Sequence, residues 1–157
     1  MRILAIAAVG AAAAIAVAVA IALGGGGGTT SKADYQATIV NARDRVDFAL
    51  DRITKSRSAE DLITRIDEAS ETVGGVAGNL DKARVAEGFD DENDKLVRTL
   101  RALSDDLSGT AATLGDPSFA ETLPGINSLS YPEWDKVNAI LAGLEEQGIH
   151  VQPLARH

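Results

Sequence analysis

The sequence predicts an all-α chain: an N-terminal transmembrane or signal-anchor helix, then an up-down helical bundle of three long helices plus a shorter fourth. Three observations predict it. Ile3 to Leu23 is an unbroken run with no charged or polar side chain. After residue 31, apolar residues recur at alternating steps of three and four, the signature of a helix face. Glycine, serine and proline collect between those stripes, where connections belong. The division that follows is a membrane segment over 1–23, a Gly-rich linker over 24–31, a helical bundle domain over 32–148 and a C-terminal tail over 149–157.

The first segment has the length of a bilayer. Its 21 residues rise about 1.5 Å each as a helix, roughly 31 Å against a hydrocarbon core of about 30 Å. Eleven are alanine and nine are Ile, Leu or Val. At about −0.3 to −0.6 kcal/mol per large aliphatic, insertion is favourable by roughly 3 to 5 kcal/mol. A cleaved signal has a shorter apolar stretch and a small-residue site, and Ala22-Leu23-Gly24 and Ser31-Lys32-Ala33 are such sites. Length favours a retained anchor, whereas alanine content favours cleavage. The retained anchor is the preferred reading, and a secreted helical protein is the alternative. Arg2 precedes the run and no Lys or Arg follows before Lys32. The positive-inside tendency therefore predicts a cytoplasmic N-terminus and an extracytoplasmic domain at the cell membrane.

Gly24 to Gly28 are five consecutive glycines, followed by Thr29, Thr30 and Ser31. Such a segment is flexible coil with a reach of roughly 15 Å. A phosphate-cradling loop needs a preceding strand and a Lys-Ser/Thr at fixed spacing, and neither is present. Beyond Arg2 the chain carries 14 basic against 23 acidic residues. That negative balance repels phosphate backbones, so nucleic acid is not an expected partner. The chain contains no cysteine, which excludes disulfides, thiolate metal sites and N-terminal lipidation on Cys.

Four helices are expected. In the first, Lys32 to about Lys55, the stripe is Tyr35, Ile39, Ala42, Val46, Ala49 and Ile53, with Phe48 and Leu50 widening it. Arg43–Asp47 and Asp51–Lys55 are i,i+4 pairs on the wet side. Ser58 with Asp61 forms a capping box that starts the second helix. Its stripe runs Ala59, Leu62, Ile66, Ala69, Val73, Val76, Leu80 and Ala83, to about Glu87. Gly74, Gly75 and Gly78 interrupt its middle at about 1 kcal/mol each. The stripe keeps phase across them, so a continuous helix is expected, with a split at Gly74–Gly75 as the alternative. Gly88 closes it.

Asp90-Asp91-Glu92-Asn93-Asp94 opens the third helix, with acids at the positive end of the dipole. Leu96, Leu100, Leu103, Leu107, Ala111 and Leu114 follow on one face. Asp94–Arg98 and Arg101–Asp105 are expected to pair on the other, and Gly115 to cap it. Asp116-Pro117 suggests one further short turn of helix. Ser130 and Glu133 form a second capping box around Pro132, opening the fourth helix. Trp134, Val137, Leu141 and Leu144 are its stripe, with Ile140 beside it. Gly148 ends it, with Ile149 supplying the apolar contact that accompanies a glycine cap.

No catalytic, cofactor or metal residue can be assigned. Counted from Asp90 as a calcium loop, position 6 is Lys95 and position 12 is Arg101, where Gly and an acid are needed. His150 and His157 are the only histidines, seven apart in the tail, and a transition-metal site needs three or four ligands. Asp105–Asp106 and Glu145–Glu146 read as solubilising charge. Gly74 and Gly78, four apart, permit a bulky neighbour such as Trp134 to approach. Tyr131 and Trp134 read as core or cap. The expected function is a non-enzymatic interaction or structural role in the cell envelope. Its partners are the membrane, through Ile3 to Leu23, and an unidentified protein or a second copy met through a helix face. The alternative is a sensor-like helical domain holding a small molecule or cation near Gly74–Gly78.

Overall fold

The computed structural model describes residues 30–116 and 131–155. The membrane segment expected over 1–23, the glycines of the linker, the short helix expected after Asp116, Ser130 and His157 lie outside them. Among the described residues no helix is long and apolar enough to cross a membrane.

Four helices and no strands make up the described structure: α1 Lys32–Thr54, α2 Ala59–Lys82, α3 Asp90–Gly115 and α4 Pro132–Glu146. Their order alternates up and down. Ser70 on α2 meets Ser104 on α3, Asp81 meets Arg101, and the start of α1 meets the start of α3 through Tyr35 and Asn93. The α2–α3 seam is the most extensive, followed by α1–α2 and α3–α4. Between α1 and α4 the chain lays down its C-terminal residues, Ile149 to Ala155, as a strap.

Each helix starts and stops for a local reason. Ser31 caps α1, its hydroxyl accepting from the Asp34 N–H at 3.1 Å. Ser58 caps α2 in the same way through Asp61. The Asp61 carboxylate reaches back one residue beyond the cap, to the Arg57 N–H at 2.8 Å. The α4 terminus is a Schellman motif: Ile149 N–H bonds to Leu144 C=O and Gly148 N–H to Glu145 C=O, both at 2.9 Å. Gly148 carries the positive φ of +80° that this geometry requires, and Ile149 is fully buried.

The apolar stripes form one core. On α1 all six stripe residues and Leu50 are buried, while Phe48 is 65% exposed. It faces outward among Asp44, Arg45, Asp51 and Arg52, not into the arc it was expected to widen. On α2 Leu62, Ile66, Ala69, Val73, Val76 and Leu80 are buried, and the helix is continuous through Gly74, Gly75 and Gly78. Ala59 lies outside the core. The stripe of α3 is buried from Leu96 to Ala111, with Leu114 half-buried. On α4 Val137, Leu141 and Leu144 are buried, whereas Trp134 and Ile140 pack half-buried at its margin.

Several boundaries differ from expectation. Helix α2 ends at Lys82, not Glu87, because Ala83 adopts extended backbone (φ −70°, ψ 152°). Leaving the helix there lets Ala86 and Phe89 turn into the core and lets Ala86 pair with Thr30 in an isolated parallel bridge. Gly88 therefore ends no helix. Its φ of +86° shapes the turn closed by Phe89 N–H to Ala86 C=O at 3.1 Å. Gly115 is the last residue of α3, and the cap is Asp116. Arg101 reaches across to Asp81 on α2 at 2.9 Å in place of Asp105. Tyr131, not Ser130, is the cap of α4, with no side-chain cap bond.

The C-terminal residues are the largest departure. Read as a tail, they are part of the fold: Ile149, Val151 and Leu154 are buried. Pro153 stops helix but leaves an extended segment able to lie in a seam.

Candidate functional site

Residues with chemical capacity collect in four places. At the N-terminus of α3 the acids fan outward while Asn93, 4% exposed, points inward. Its Oδ1 accepts from the Tyr35 hydroxyl at 3.4 Å, and its Nδ2 donates to Leu80 C=O at 3.3 Å. Tyr35 stacks obliquely on Phe89 at 5.6 Å, and Lys32 Nζ lies over that ring at the same distance. Burial, followed by the charges of Glu92 and Asp90, pushes the Tyr35 phenol far up. Its hydroxyl ties α1 to Asn93 on α3, and Asn93 in turn holds α2 through Leu80. The acidic run is a helix start, with Asp90, Asp91 and Glu92 in the first turn of α3.

The second place is the α2–α3 seam. Ser70 Oγ donates to Ser104 C=O at 2.8 Å and Ser104 Oγ donates back to Ser70 C=O at 2.9 Å. A Cβ on Gly74 would stand 2.9 Å from Ser104 Oγ, whereas one on Gly75 or Gly78 would meet nothing within 4 Å. The neighbour that requires glycine is thus Ser104 at position 74, not Trp134 across the pair.

The third joins α3 to α4. The carboxyl groups of Asp106 and Glu133 share a hydrogen bond. The hydrogen bond to Glu133, followed by slight desolvation, pushes the exposed Asp106 up. Asp106 and Lys136 hold Glu133 below the usual carboxylate range, with Lys136 Nζ at 3.0 Å. Tyr131 lies beside them, its phenol pushed up by burial. Nothing in the spacing of Asp106 and Glu133 announces this pair, because only the antiparallel packing of α3 on α4 brings them together.

The fourth is the strap and the seam that receives it. His150 is exposed, with Nδ1 3.1 Å from Glu145 Oε1. The other oxygen of Glu145 accepts from Val151 N–H at 2.7 Å. The bond to His150, followed by that to Val151, holds the Glu145 carboxyl below its ordinary value. Glu145 is therefore a strap fastener rather than solubilising charge. Beneath Leu154, between Val46, Leu100 and Val137, a void of about 10 Å³ remains, close to the space of one water.

No family model, no curated protein and no solved structure matches the chain.

Proposed function

We propose that the chain is a membrane-tethered helical module, displayed outside the cytoplasm, with an interaction or structural role in the cell envelope. The observation that carries this reading is Ile3–Leu23 followed by Gly24–Gly28: a bilayer-length apolar run joined to flexible coil. The geometry of the bundle supports it in two ways. Thr30, the first described residue, sits beside Ala86, so the tether leaves the bundle at the end bearing the exposed Asp90, Asp91 and Glu146. Those carboxylates face anionic headgroups, and their repulsion holds the bundle off the bilayer. The interior void between α1, α3 and α4 is about 10 Å³, which favours a surface role over a ligand held in that part of the core.

The test is alkaline carbonate extraction of membranes from cells expressing the chain, followed by protease added to intact spheroplasts. The reading predicts that the chain stays in the membrane pellet and that the bundle is digested from outside. A chain released by carbonate, or protected until the membrane is opened, would overturn it.

A further inference from the structure

The strap is gripped by its backbone. His150 N–H donates to Gln36 Oε1 at 3.0 Å, Val151 N–H to Glu145 Oε2 at 2.7 Å and Ala155 N–H to Asp47 Oδ1 at 2.7 Å. Arg43 donates to Pro153 C=O from Nη2 at 2.6 Å. Asn138 takes Leu154 at both ends, accepting from its N–H at 2.7 Å and donating to its C=O at 3.4 Å. These partners stand in two lines. Gln36 and Arg43 on α1, and Asn138 and Glu145 on α4, are each seven residues apart, a spacing that returns a side chain to the same helix face.

Backbone groups carry no sequence identity, so these bonds accept any extended segment. Val151 and Leu154, 7% and 3% exposed, are read by their buried side chains, and His150 by its ring nitrogen on Glu145. Main-chain bonds for affinity with a few side-chain pockets for specificity is a way peptides are held. Gly148 and the Schellman bonds fix the chain only as far as Ile149, so residues 150–155 can swing away without unwinding α4.

We propose that the α1–α4 seam is a peptide-binding groove, filled in cis by the chain's own His150–Ala155 and open in trans to the same segment of a second copy. The second copy is the occupant because its segment remakes the same bonds that the structure shows, the condition under which exchange between copies costs little.

The test uses two full-length variants in one detergent. Leu154→Asp dislodges the strap and leaves the groove, while Asn138→Ala weakens the groove and leaves the strap. Each alone is expected to sediment as a monomer and the equimolar mixture as a one-to-one dimer. A mixture that stays monomeric, with both variants showing native helical circular dichroism, overturns the proposal. Where either variant loses that signal, a fluorescein-labelled peptide of residues 149–157 is the strap donor and Leu154→Ala the acceptor. Saturable binding at least tenfold tighter than to the unmodified chain is expected. Equal binding to both chains, or to neither, or equal binding of a scrambled peptide, overturns it.

Discussion

The substitution Gly74→Ala separates helix propensity from packing. In an unobstructed helix interior it would stabilise by about 1 kcal/mol. Here the new Cβ stands 2.9 Å from Ser104 Oγ, closer than real contacts allow, and that hydroxyl is committed to Ser70 C=O. Moving it forfeits a hydrogen bond of about 1 kcal/mol and costs roughly 0.5 to 1.5 kcal/mol more if the rotamer is displaced. The net expectation is a loss of roughly 0.5 to 1.5 kcal/mol. Ser104→Ala alone loses the same bond, about 1 kcal/mol. In the double variant the oxygen is gone, and the remaining neighbour is the Cβ of residue 104 at 3.7 Å, ordinary contact. The propensity gain then offsets the lost bond, and the double variant should lie within about 0.5 kcal/mol of the parent. The cycle therefore carries a coupling of roughly 1.5 to 2.5 kcal/mol of rescue. Urea unfolding followed by circular dichroism, at unchanged slope, measures all four corners. Additivity within about 0.3 kcal/mol, or a Gly74→Ala variant more stable than the parent, would refute the contact.

Gly148→Ala should destabilise by more than about 1 kcal/mol, since φ is +80° and Lys32 Nζ stands 2.9 Å from the added carbon. Gly88→Ala, at φ +86° in open space, should show the backbone penalty alone, so thermal melts should rank Gly148→Ala as the worse of the two. The depressed folded-state ionisation of Glu145 means its contribution is present above the unfolded value and lost as pH falls through the folded one. The Val151 amide resonance should titrate at a pH below the ordinary Glu range and lose that titration in Glu145→Gln. A Val151 amide insensitive to acid in the parent chain would remove Glu145 as its fastener.

The helices were legible because their core faces obey one period. Tyr35 to Ile53 on α1 and Leu96 to Ala111 on α3 needed only spacing, and Ser58, Gly148 and Ile149 supplied local stops and starts with a known geometry. What escaped was decided by contacts between segments distant in sequence. The early end of α2 depends on Ala86 pairing with Thr30 and on Phe89 stacking on Tyr35, some 55 residues apart in number. Phe48 is apolar, yet position outvotes composition on a helix whose buried arc is already filled by Leu50. The strap was missed because a short extended segment with Pro153 has no periodicity. Its signal lies elsewhere, in polar residues at seven-residue spacing on α1 and α4. Asp106 and Glu133 gave no signal, since adjacent acids on a helix are common and their partner is on another helix.

The proposed tether, a retained membrane segment, is tested most directly by the intact mass of the mature chain. Recovered from the membrane fraction, the protein should have a mass that includes the residues of Ile3–Leu23. A species beginning at or after Gly24, found in the released fraction, would contradict the tether and leave a secreted bundle in its place.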